Sequence, residues 1–127
     1  MTNVTSFPPL FILLASDDHN RAHVAFSLSL AALALGREVT LFAGGKSVRL
    51  LGKLRADCES ECCPEGSGVL CLDKLIEESV GLGARLIACE TGLFQTNLKE
   101  TDLIEGVQVG GMVGLLAEVG SENMMVF

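Results

Sequence analysis

Residues 85–93 have the sequence RLIACETGL, in which a short apolar run ends at a cysteine and polar residues follow. The run is entered through Gly83 and predicts a buried strand over residues 84–88, with Cys89 at its carboxyl end. A strand that is apolar throughout is typical of a parallel sheet with helices on both faces. Ligands bind at the carboxyl edge of such sheets, so Cys89 is the first candidate for a functional residue.

The position of Cys89 supports two interpretations. If the turn after the strand leads into a helix, the N–H groups of that turn favour the thiolate, which is the reactive form of cysteine, while the neighbouring Glu90 opposes it. If the thiol is instead packed in the core, it is only a small buried residue, as free cysteines frequently are. The residues alone leave both interpretations open.

The rest of the chain repeats the alternation of apolar runs with helical patterns. Further runs that predict strands occur at residues 10–15, 39–43, 107–109 and 123–127. Patterns that predict helices occur at residues 21–35, 48–54, 70–82, 94–98 and 112–119. Strands that alternate with helices form right-handed βαβ units. The sequence therefore predicts an α/β fold, a three-layer α/β/α domain with a five-strand, mainly parallel sheet.

The composition of the chain excludes several classes of protein. With 49% hydrophobic and 20% charged residues, the chain is expected to form a single globular domain over residues 1–127. Its net charge of −7 argues against a nucleic-acid partner or an anionic membrane surface. The longest apolar segment, residues 24–35, is too short to span a bilayer, and the N-terminus lacks the basic region of a secretory signal. These features predict a soluble cytoplasmic protein whose thiols are free.

Residues 55–68 are polar, acidic and rich in turn residues, which predicts an irregular loop. The loop carries Cys58, Cys62 and Cys63, and this cluster could serve a metal site, a local redox role or no role at all. Zinc sites pair two knuckles with tighter spacing, and no nearby histidine completes one here. The sequence therefore predicts no structural metal.

Residues 44–47 have the sequence GGKS, which is how a nucleotide-binding P-loop ends. The first glycine of that motif would fall at residue 40, which is Thr40, so no nucleotide site is predicted. The segment is expected to cap the next helix and to bind an anion weakly through free N–H groups. The glycines between residues 106 and 114 do not form a dinucleotide fingerprint either, so no cofactor is predicted.

Topology gathers further residues at the edge that carries Cys89. A helix that leads into the start of a parallel strand must begin at the carboxyl edge, so Cys71 is the candidate for a second thiol. His19 and His23 would tune the thiol or move protons there, or they are ordinary loop and helix residues. The candidate pocket residues are Ser16, Asp17, His19, His23, Gly44, Gly45, Lys46, Glu90, Thr91, Gly92, Gly110 and Gly111.

Three blocks of the sequence resemble the DsrE/DsrF-like family of sulfur-relay proteins, and most closely its peroxiredoxin-related branch. The blocks are residues 11–18 with the helix and strand that follow to residue 42, residues 82–89, and residues 102–111. The resemblance implies a parallel sheet between helix layers and a trimer or hexamer. It also implies a persulfide on the strand-end cysteine, a position that Cys89 matches.

The resemblance thus implies a sulfur carrier or sulfurtransferase that takes sulfur from a donor and passes it to a partner thiol. The alternative is a non-catalytic oligomeric binding or regulatory module that uses the same edge. The apolar residues 24–35 independently indicate a homo-oligomer, because a helix that is apolar on most faces needs a partner surface.

Overall fold

The computed structural model describes residues 7–53, 71–120 and 123–127. The strands are β1 (Leu10–Leu14), β2 (Val39–Ala43), β3 (Arg85–Cys89), β4 (Gln108–Gly110) and β5 (Met124–Val126). The α-helices are α1 (His19–Ala34), α2 (Leu72–Gly81), α3 (Glu90–Thr96) and α4 (Met112–Val119), and two 3-10 helices span Gly45–Leu51 and Glu100–Asp102. The strands form one sheet in the order β4-β3-β2-β1-β5, and every neighbouring pair is parallel. The predicted α/β fold is confirmed.

The order of the strands determines the helix layers. From β1 to β4 each strand is placed beside the one before it, in a single direction. Right-handed connections then put α1, α2 and α3 on the same face of the sheet. The connection from β4 to β5 returns across the sheet, so α4 lies on the opposite face. Among the described residues, one layer therefore contains three α-helices, whereas the other contains the eight-residue helix α4.

The two faces of the sheet carry different side chains. Ile12 and Leu14 of β1 and Leu41 of β2 are fully buried toward the α1 layer. Residues in the alternate positions, such as Phe42 and Ile87, are register partners and point toward α4. Arg85 of β3 belongs to the second set and pairs with Glu118 of α4. Because Cys89 is four residues after Arg85, its side chain also lies on the α4 face.

The first helix begins two residues before the predicted start. The carboxylate of Asp18 accepts a hydrogen bond from the backbone N–H of Arg21 at 2.9 Å, so Asp18 is the N-cap and the helix starts at His19. The helix ends before Gly36, whose φ of +86° suits glycine.

Several predicted boundaries are wrong. The turn predicted at residues 90–92 is instead the first turn of α3, because Cys89 itself is the N-cap, with extended backbone angles. The helix predicted from residue 48 begins at Gly45 and is a 3-10 helix. Strand β4 begins one residue after the predicted start and ends at Gly110.

Two predictions, the loop at residues 55–68 and the absence of a membrane-spanning segment, involve residues that the structure does not describe. The predicted loop at residues 55–68, with Cys58, Cys62 and Cys63, lies outside the described residues. Among the residues that are described, no helix is both long and apolar enough to cross a membrane.

Candidate functional site

Cys89 is the last residue of β3 and the N-cap of α3, with 5% of its surface exposed. In β4 its register partner is Gly110. On the other side the register ends with Ala43 opposite Ala88, so Gly44 follows at the level of Cys89. Cys89 is therefore flanked by Gly110 at the end of β4 and by Gly44 after the end of β2. The side chain of Ile87 fills the space beside Gly110, where its Cγ2 would lie 3.2 Å from an added Cβ.

Met112 forms part of the cover above this edge. A Cβ built at Gly44 would lie 3.5 Å from Cε of Met112. Met112 opens α4 just after β4, and β3 lies between β4 and β2. Its side chain therefore reaches across the carboxyl end of β3, past Cys89. The side chain is 45% exposed and has three rotatable bonds, so this part of the cover can move.

Glu90, the residue after Cys89, puts a negative charge at the carboxyl end of β4, the strand next to β3. A Cβ built at Gly111 would lie 3.3 Å from Oε1 of Glu90. Gly111 is the N-cap of α4 and has no side chain to cap the helix. The carboxylate therefore lies at the positive end of the α4 dipole, which favours an anion there.

Gly92 holds α3 against the turn that follows β2. A Cβ built at this buried residue would lie 2.5 Å from Cγ2 of Val48 and 2.7 Å from the carbonyl oxygen of Gly45. Only glycine permits so close an approach of the two backbones. Gly45 has φ of +58°, which also suits glycine. These two predicted pocket residues thus support the turn behind Cys89 and do not line the edge beside it.

Ser47 is a residue whose role sequence reasoning missed. Its buried hydroxyl lies 2.8 Å from the carbonyl oxygen of Leu14 and 2.7 Å from that of Gly44, and it donates to these acceptors. The N–H of Gly44 also donates to Leu14, at 2.9 Å. Ser47 therefore joins the carboxyl ends of β1 and β2. The GGKS pattern had suggested anion binding, but its serine is used inside the fold and Lys46 is exposed.

The predicted residues after β1 make local contacts. The hydroxyl of Ser16 accepts a hydrogen bond from the N–H of Asp18 at 3.0 Å. Asp17 pairs with Arg49 of the 3-10 helix at 2.9 Å. Both side chains of this pair are partly exposed, so it contributes little to stability. These contacts shape the edge of the sheet two strands away from β3.

The structure separates the histidines and the second thiol from Cys89. His19 and His23 lie in the first turns of α1, with ring centroids 6.3 Å apart, and Nε2 of His19 is buried without a hydrogen-bond partner. Helix α1 follows β1, which is about 10 Å from β3 at the usual strand spacing. Cys71 is the N-cap of α2. All three residues lie near the carboxyl edge, as Cys89 does, but in the helix layer opposite to the face that carries its thiol.

The predicted site residues therefore lie on two different faces of the sheet. Gly44, Glu90, Gly110 and Gly111 lie at the strand ends next to Cys89, while Thr91 is exposed in the first turn of α3. Met112 is a further residue of this site that sequence reasoning missed, because nothing in the sequence shows that α4 crosses back over β3.

The pair formed by Arg85 and Glu118 positions α4 over β3. Nη2 of Arg85 donates to Oε1 of Glu118 at 2.8 Å. The hydrogen bond from Arg85 lowers the pKa of Glu118, and the same bond raises the pKa of Arg85. Both groups are charged at neutral pH. The pair thus links β3 to the helix whose first residue is Met112.

Two cavities lie away from Cys89. One, of about 340 Å³, lies beside α2, and its apolar lining includes Leu50, Ile76 and Ile104. The other, of about 590 Å³, is at the amino edge of the sheet and includes Arg37 and Arg85. Within the described ranges, no three His, Cys, Asp or Glu side chains come together as a metal site.

Comparisons with known proteins agree with this architecture. Residues 10–127 match the sequence model of the DsrE/DsrF-like family. The structure of the ychN protein from E. coli is similar, with a TM-score of 0.69 and 17% identity over 95% of this chain and 100% of that chain. The protein of unknown function MTH1491 from Methanobacterium thermoautotrophicum has a TM-score of 0.70 and 21% identity over 96% and 98%. At these identities the structures show a shared fold, and no curated protein sequence gives a significant match.

Proposed function

Because the chain belongs to the DsrE/DsrF-like family, we propose that it is a sulfur-relay protein that carries a persulfide on Cys89 and passes the sulfur to a partner thiol. The observation that carries the proposal is the position of Cys89. It lies at the carboxyl edge of the sheet, between Gly44 and Gly110, with Met112 as part of its cover. Such edges are where open α/β sheets bind ligands.

The proposed chemistry is two thiol exchange steps. In the first, the Cys89 thiolate attacks the outer sulfur of a donor persulfide R–S–SH, the S–S bond breaks, and R–S⁻ leaves. The product is Cys89–S–SH. In the second, an acceptor thiolate attacks the outer sulfur, and the Cys89 thiolate is regenerated. Neither step needs an external oxidant or reductant.

The surroundings of the thiol suit such an intermediate. A persulfide is longer than a thiol by one sulfur atom. A Cβ at Gly44 would contact Cε of Met112 at 3.5 Å, so a shift of this flexible side chain would make room for the added sulfur at the sheet edge. The thioether of Met112 is polarizable and flexible, so it can shield the added sulfur and then move aside for an acceptor.

We also propose a homo-oligomer, a trimer or hexamer as in the family. The 24–35 segment offers a limited surface: Phe26 and Ala32 are buried and α1 packs against α2, while Val24 is 51% and Leu35 64% exposed. Helix α4 adds a further apolar surface, with Val113 84% exposed and Leu116 60% exposed. A helix with such an outer face needs a partner surface, and a second copy of the chain is the proposed one.

One observation favours the alternative, a non-catalytic binding or regulatory module. The thiol of Cys89 is nearly inaccessible in the static structure, as expected of a packing residue. Under this alternative the edge would bind a partner or small ligand without sulfur chemistry.

The test is sulfur loading read at the level of a peptide. Trypsin releases residues 86–99, in which Cys89 is the only cysteine. After incubation with the persulfide R–S–SH of a small uncharged thiol, this peptide should carry one extra sulfur that reductant removes. Cys89→Ser should abolish loading there, and its thermal unfolding should still be cooperative, because the volume change is small and the buried hydroxyl costs about 1–3 kcal/mol if unpaired. The matched control, Cys71→Ser, should load as the wild type does. A wild-type Cys89 peptide that never gains sulfur in the folded protein would favour the binding module.

A further inference from the structure

We infer that Glu90 makes the site selective for the charge of the sulfur donor. The site accepts a donor whose sulfane-sulfur group is uncharged and disfavours an anionic donor such as thiosulfate. This inference rests on the proposed function of Cys89 and names the class of substrate that the same site accepts. It is carried by the position of the Glu90 carboxylate relative to the two glycines that follow β4.

The carboxylate lies where a donor must approach. Glu90 is adjacent to Cys89 in the chain, and its Oε1 is 3.3 Å from a Cβ built at Gly111. Gly111 follows Gly110, which is the register partner of Cys89. The negative charge is therefore between the ends of β3 and β4, on one side of the thiol. Met112 covers the other side, above Gly44.

The carboxylate also occupies the N-terminus of α4, which would otherwise attract anions. The N-terminus of α4 has free N–H groups and a positive dipole end, and Gly111 offers no side chain to cap it. With Glu90 there, the dipole is already compensated. Lys46, on the turn after β2, and Glu90 are both exposed, so solvent screens both charges, but only Glu90 is adjacent to Cys89 in the chain.

The effect on loading depends on the charge of the donor. With thiosulfate, the Cys89 thiolate attacks the sulfane sulfur, the S–S bond breaks, and sulfite leaves as SO₃²⁻, which gives Cys89–S–S⁻. This reaction brings a dianion beside Glu90, whereas a neutral R–S–SH brings no net charge. For charges about 6 Å apart at an effective dielectric constant of about 40–80, each unit of repulsion slows the reaction about threefold to tenfold.

Two alkylating reagents isolate this effect. Iodoacetamide is neutral and iodoacetate is an anion, and in both the thiolate displaces iodide. The ratio of their rate constants at Cys89, read from the peptide of residues 86–99, cancels any change in the fraction of thiolate. Glu90→Gln should lower the amide-to-acetate ratio about threefold to tenfold. The control Glu105→Gln removes the same charge from an exposed position before β4 and should leave the ratio unchanged.

The outcomes separate this inference from the proposed function. In the wild type, added salt should lower the ratio toward that of Glu90→Gln, and this measurement needs no variant. A reactive Cys89 whose ratio is the same in wild type and Glu90→Gln, or is independent of salt, overturns the inference and leaves the sulfur carrier standing. A Cys89 that neither reagent modifies in the folded protein overturns the proposed function together with the inference.

Discussion

Replacing Gly92 with alanine measures how tightly α3 is held behind Cys89. The new methyl group would lie 2.5 Å from Cγ2 of Val48 and 2.7 Å from the carbonyl oxygen of Gly45, whereas ordinary contacts begin at 3.4 Å. The valine methyl can shift, but the oxygen belongs to the backbone and cannot rotate away. Overpacking of this kind costs about 1–3 kcal/mol, and the overlap favours the upper end. Alanine returns about 1 kcal/mol through its helix propensity, so we expect a net loss of about 2 kcal/mol.

The assay is thermal and urea unfolding of Gly92→Ala beside a matched control. For a domain of this size, the loss corresponds to a fall in Tm of about 5–10 °C. Gly114→Ala is the control, because it also adds a methyl group within a helix but meets nothing within 4 Å. It should raise the free energy of unfolding by up to about 1 kcal/mol. If Gly92→Ala is as stable as the wild type, the close approach of α3 to the turn after β2 is wrong.

Three further predictions concern α4. Because the Arg85 hydrogen bond lowers the pKa of Glu118, the pair's stabilisation is complete above the ordinary glutamate pKa and is lost as pH falls through the lowered value. Urea unfolding should therefore show Glu118→Gln less stable than wild type at pH 7, by less than about 1 kcal/mol for so exposed a pair, with the difference vanishing in strong acid. Leu116→Glu should shift the protein toward monomer in sedimentation, and an unchanged mass would argue against α4 as the interface. Met112→Ala should speed alkylation of Cys89 by iodoacetamide several-fold, and an unchanged rate would show that Met112 does not limit access.

The sequence predicts best those elements whose start and stop are both marked. Strand β2 was predicted with its observed bounds, since charged residues precede its apolar run and two glycines follow it. Helix α4 was also predicted correctly, between Gly111 and Gly120. Helix α3 was predicted four residues late because its N-cap is Cys89, which has no strong capping preference, and because Gly92 in its first turn argues against a helix.

The sequence predicted which residues lie at the carboxyl edge of the sheet, but not which face of the sheet each side chain is on. Because all parallel strands end at one edge, the spacing of the motifs was enough to place Gly44, Glu90 and Gly110 near Cys89. The face on which each side chain lies depends on the order of the strands, which the sequence does not state. The return of the chain from β4 to β5 puts α4 over Cys89, whereas the single direction from β1 to β4 places His19 and Cys71 in the opposite layer.

That return has a kinetic consequence for the thiol. Strands β1 to β4 can assemble one neighbour at a time, but β5 pairs with β1 across about 110 residues of sequence, a slow type of contact to form. Helix α4 and β5 are thus expected to dock last and to open first, as a cooperative unit with its own exchange free energy. The α4 face of the sheet, and Cys89 with it, is exposed whenever this unit opens. The rate at which reagents reach the cysteine would then report an opening equilibrium of the protein, and hydrogen exchange in β5 should follow the same temperature dependence.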